Sequence, residues 1–143
     1  MLKDALGAYR GSVREISKLI ESEPGNADAY YSRAGVRAAE GDQEGALGDF
    51  TMALKLGLRY RESIVAYGNR GLIRFETGDY QGAADDFSAV IDRKPRQKTL
   101  MRAALMQRAA AKEKLGDCNG AAADRRLAAL LSPDREQQTK QGE

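Results

Sequence analysis

Residues 30–53 read YYSRAGVRAAEGDQEGALGDFTMA, and this stretch decides the fold. Small and apolar side chains return at steps of three and four on both sides of Gly41-Asp42: Tyr30 and Ala34 before it, Ala46, Phe50, Ala53 and Leu54 after it. That is the period of a helix face. Glycine suits a helix C-terminus, where a left-handed backbone is needed, and aspartate suits the N-cap of the next helix. The stretch predicts two helices folded back on one another, with small residues where they touch.

Working outward, the pattern recurs. Residues 67–90 (YGNRGLIRFETGDYQGAADDFSAV) align on Gly78-Asp79, and residues 105–128 (LMQRAAAKEKLGDCNGAAADRRLA) on Gly116-Asp117. A weaker copy aligns on Gly7-Ala8, so the anchoring glycines stand 34, 37 and 38 residues apart. Eight residues before each full anchor stand Arg33, Arg70 and Arg108; five after stand Ala46, Ala83 and Ala121; eight after stand Asp49, Asp86 and Asp124. Pro24, Pro95 and Pro133 follow the second helices of their copies, which proline cannot continue. Sustained two-residue alternation is absent, so no sheet is expected.

The set Tyr30-x3-Ala34…Gly41-Asp42…Ala46-x3-Phe50-x2-Ala53, repeated around Gly78 and more weakly around Gly116, resembles the tetratricopeptide repeat, a helix–turn–helix unit of 34 residues. The resemblance implies an all-α, right-handed solenoid of about three and a half helix pairs. It implies a single domain over 1–133, with a partial repeat at 1–25, repeats at 27–58, 64–95 and 102–133, and a polar tail at 134–143. The glycines and alanines above, with the arginines and aspartates, are then structural. The spacers 57–63 and 96–100 are expected to lengthen the helices that follow them by about a turn.

The copies also depart from the family. Arg33, Arg70 and Arg108 replace an apolar residue, and Arg37, Arg74 and Lys112 replace an aromatic one. Each base and the next are four apart on one helix face, so repulsion is expected. Asp49, Asp86 and Asp124 are inferred to pair with the arginines across the two helices.

The resemblance implies a non-catalytic protein–protein interaction module whose first helices line a concave groove. The face left over after packing inside each repeat carries Tyr31, Leu72, Phe75 and Met106, flanked by Asn69 and Gln107. These are the candidate peptide-binding residues; the bland alternative is that the large ones pack against neighbouring helices. One family subset grips a peptide's C-terminal carboxylate. Asn69 matches that set, but Tyr31, Gly35, Ala103 and Gln107 do not, so tail recognition of that kind is not implied.

Composition narrows the chemistry. The chain of 143 residues has no histidine and one cysteine, Cys118. A histidine-based nucleophile system is impossible and no cysteine metal site can be assembled, so no catalytic residue, metal or cofactor is expected. Cys118 is read as a packing residue. Net charge is +2, with −4 over residues 1–92 and +6 over 93–143. The cluster Arg93-Lys94-Pro95-Arg96-Gln97-Lys98 lacks aromatics for base stacking, which argues against nucleic acid; an acidic partner remains an alternative. No apolar run is long enough to span a membrane. With no leader at Met1, the cytoplasm is the expected compartment. The ends lack good capping elements, so either self-association through them or a place in a longer array is a second expectation.

Overall fold

The computed structural model describes Met1, Lys3 and residues 8–131. The Gly7 anchor and the 134–143 tail therefore lie outside the described residues. Within these limits the chain is all-α, with seven helices and no strand: α1 (Val13–Ser22), α2 (Ala27–Ala39), α3 (Gln43–Leu56), α4 (Tyr60–Glu76), α5 (Tyr80–Asp92), α6 (Lys98–Lys114) and α7 (Cys118–Leu130). An isolated antiparallel bridge joins Lys3 to Tyr9.

The three Gly-Asp anchors make the same turn. Gly41, Gly78 and Gly116 have φ of 84°, 90° and 85°, a region open to glycine at little cost. The amide of the following aspartate donates to the carbonyl five residues back: Asp42 to Arg37 at 2.9 Å, Asp79 to Arg74 at 2.8 Å, Asp117 to Lys112 at 2.9 Å. Each aspartate side chain then accepts the amide of Gly45, Gly82 or Gly120 at 2.9 Å, capping α3, α5 and α7. Those three glycines, each four residues after its anchor, are a recurrence that the periodicity argument passes over. A Cβ at any of them would stand 2.2 Å from the capping carboxylate.

Helix α1 starts later than the alignment suggests. Ala8, in the place of the capping aspartates, offers no side-chain acceptor. The helix begins at Val13, after Ser12, whose hydroxyl accepts from the Glu15 amide at 3.2 Å and donates to the Glu15 carboxylate. The longer spacers do extend α4 and α6, each of 17 residues against 13 in α2. Helix α5 closes without a glycine: Lys94, just before Pro95, takes a left-handed φ of 49°.

The chain divides into two compact units, Met1–Ile73 and Arg74–Glu143. In the first, Ala34, Ala46, Phe50, Ala66 and Ile73 form a core, with Tyr31, Leu47, Leu54 and Leu58 packed against it. A second cluster, Ile16, Ile20 and Ala29, lies under Tyr9 and Tyr30. In the second unit Ala83, Ala84, Phe87 and Ala111 cluster with Phe75. The recurring alanines Ala46, Ala83 and Ala121 are fully buried. Only a methyl group fits where paired helices approach this closely. Cys118 differs from its expected role: it is the first residue of α7, directly after the cap, and is exposed.

Candidate functional site

The charged residues that interrupt the apolar pattern converge in the helix pairs. Asp49 is buried on α3, and Arg33 grips it with two nitrogens, each at 2.8 Å. Arg37 reaches the same carboxylate at 2.8 Å. In the last pair Arg108 holds Asp124 at 2.8 and 2.7 Å, and Lys112 adds a contact at 3.0 Å. The repulsion expected between bases four apart is thus absorbed: both cations share one carboxylate. In the middle copy Arg74 holds Asp86 at 3.0 Å.

The remaining guanidinium nitrogens do something the sequence reading missed. Arg33 donates to Ser17 at 3.0 Å, Arg70 to Thr51 at 3.3 Å and Arg108 to Ser88 at 3.1 Å. Each hydroxyl sits on the helix that precedes the arginine's own helix, ten residues after its Gly anchor. That recurrence is the signal that could have found it. Arg33 and Arg70 also stack over Tyr30 and Tyr67, at 5.6 and 5.5 Å from the ring centres.

These clusters are structural in their chemistry. Among the described residues no buried side-chain nitrogen or oxygen lacks a hydrogen-bond partner. No three histidine, cysteine or acidic side chains there are grouped to hold a metal ion. Burial opposes ionisation of Asp124, but hydrogen bonds from Arg108 and Lys112 outweigh it and hold the carboxyl below its ordinary value. Its stabilising contribution is therefore fully present above the unfolded value of about 3.9 and is lost as pH falls through the lowered folded value. The unfolding free energy of Asp124→Asn should accordingly show a shallower acid limb than the unaltered chain in denaturant titrations from pH 5 to pH 2. Superimposable acid limbs would contradict the pairing.

The six candidate groove residues divide between the units. In the first, Tyr31 is half-buried and meets Phe50 edge-on at 6.3 Å. Asn69 and Leu72 are exposed on α4. An open cavity of about 530 Å³ is lined by Tyr31, Gly35, Val36, Phe50 and Asn69, with Ala8 and Tyr9 as a further wall. Its lining is mostly aromatic and aliphatic, and Asn69, Ser32 and Glu40 are the polar residues in it. The structure therefore brings Tyr31 and Asn69 to one cavity.

In the second unit Met106 is 42% exposed on α6, and Gln107 is half-buried beside it. Phe75 departs from the expected solvent-facing position. It is half-buried, packs on the Ala83–Phe87 cluster and meets Tyr80 edge-on at 5.2 Å, so its ring belongs to the core of this unit.

This arrangement, helix pairs joined by identical turns with close-packed alanines between them, is that of the tetratricopeptide-like helical repeat proteins. Among solved structures the chain is similar to MamA, whose crystal structure superposes with a TM-score of 0.72 over 90% of this chain and 69% of that one, at 20% identity. The likeness is one of fold. No family model matches the chain, and no curated protein matches it. None of the described helices is long and apolar enough to cross a membrane.

Proposed function

We propose that this chain is a non-catalytic protein–protein interaction module that receives an extended peptide or a helix of its partner on its first-helix faces. The observation that carries the reading is the cavity on α2 and α4, which offers an aromatic floor beside the exposed Asn69 amide. An apolar recess with a few polar groups at its edge takes one side chain of a peptide and orients its backbone. In the second unit Met106 and Gln107 offer a similar mixture on α6. The reading assigns no cofactor.

The test uses peptides selected from a random displayed library against the full chain. Asn69→Ala and Leu72→Ala should each weaken the selected peptide by about 1 kcal/mol with little change in thermal midpoint, because these side chains are exposed. Phe75→Ala should instead lower the midpoint by several degrees, because its ring is packed. Folded Asn69 and Leu72 variants that both bind at full strength would remove the groove.

A second reading, association of copies through the last helix, is favoured by Leu127 and Leu130, which are 50% and 58% exposed on α7. Sedimentation across a concentration series tests it: a mass independent of concentration would exclude it.

A further inference from the structure

The face of α2 that the groove reading uses is already in contact with this chain's own N-terminal residues. Lys3 Nζ lies 2.8 Å from Asp28 Oδ2 and 5.0 Å from the centre of the Tyr9 ring. The Tyr9 amide donates to Ser32 Oγ at 2.7 Å, and the Tyr9 hydroxyl accepts from Asn26 Nδ2 at 3.0 Å. Lys3 and Tyr9 also bridge one another in antiparallel fashion, so the two residues stand side by side on this face. Asp28, Ser32 and Asn26 all belong to α2 or its cap, and Ala8 and Tyr9 line the cavity that also holds Tyr31 and Asn69.

These contacts are those of a bound peptide: one main-chain amide given to a side-chain hydroxyl, one cation on a carboxylate and one tyrosine hydroxyl accepting from a side-chain amide. We propose that Lys3 and Tyr9 are a tethered occupant of the α2 face. The partner that displaces them is a peptide carrying a cationic side chain and a tyrosine, recognised by Asp28 and by Asn26 with Ser32. Complementary groups on α2 set this chemistry. Asp28 is a carboxylate already drawing two cations, Lys3 and, at 4.0 Å, Arg59. The Ser32 hydroxyl donates its own proton to the Asp28 carbonyl at 2.7 Å, which leaves its oxygen to accept a backbone amide. The proposal deepens the groove reading and rests on it. A tethered occupant competes at an effective concentration of about millimolar, so it lowers apparent affinity without touching the intrinsic one.

The experiment measures fluorescence anisotropy of a labelled synthetic peptide with the sequence of residues 1–11. It is titrated with the full chain and with the full chain carrying Lys3→Glu and Tyr9→Ala. The double variant should bind the peptide at least about ten-fold tighter than the unaltered chain. A peptide with alanine in place of its lysine and tyrosine should lose that gain. Tyr9 packs on the Ile16–Ala29 cluster, so the circular dichroism melt is recorded as well. If the double variant does not fold, Lys3→Glu alone, which alters an exposed side chain, should still bind about three-fold tighter. Equal binding by the folded released chain and the unaltered chain, or none by either, overturns the tethered occupant. The groove itself is judged by the Asn69 and Leu72 variants, neither of which alters Lys3 or Tyr9.

Discussion

Asp124→Leu should destabilise the chain by about 3 kcal/mol, while Arg108→Leu should cost less than half of that. The asymmetry follows from who depends on whom. Asp124 is 2% exposed and is the shared acceptor of Arg108 and Lys112. Removing it leaves two cations in a partly buried position, repelling one another at four-residue spacing. Removing Arg108 leaves Asp124 still held by Lys112, and leucine restores an apolar side chain at a helix–helix contact. The double replacement should recover much of the loss, since an apolar pair of similar volume often matches a buried ion pair. Urea midpoints of the four proteins test this, and equal values for the two single variants would refute the shared-acceptor account.

Ala83→Leu should cost about 2–3 kcal/mol through overpacking. Ala83 is fully buried at the start of α5, against Phe87, Ala84 and Ala111. Three extra carbons there must push the helices apart or force rotamers out of their wells. The exposed Ala122 on α7 is the control, where leucine should change stability by no more than about 0.5 kcal/mol. A loss below that at Ala83 would place it on a surface instead of between helices.

The helices were legible because small residues, capping aspartates and turn glycines recur in phase, so three weak local signals reinforce one another. The onset of α1 was not, because Ser12 caps it from outside the repeat phase. The aspartate pairing was readable from its recurrence, but the sharing was not: proximity of two like charges predicts repulsion until the buried carboxylate between them is placed. The hydroxyls at Ser17, Thr51 and Ser88 were hidden because serine and threonine are unremarkable on an amphipathic helix. Phe75 was misread for a related reason. Its step along α4 matches that of the exposed Leu72, and only packing on Tyr80 separates the two. The Lys3–Tyr9 contacts with α2 had no periodic signal at all.

The arginine–hydroxyl links give the helices an order of release. Arg33 closes its own pair through Asp49 and, with a third nitrogen, holds Ser17 on α1. Opening the α2–α3 pair therefore also loosens α1, whereas α1 can come away by giving up the Ser17 bond and the packing of Ile16 and Ile20 on Ala29, with the Arg33–Asp49 pair intact. Native-state hydrogen exchange should show this as a hierarchy within the first unit, with α1 amides exchanging through small local openings and the α2–α3 amides only through larger ones. One guanidinium thus makes the edge helix a dependant of its neighbour, and fraying there is tolerated without loss of the pair behind it.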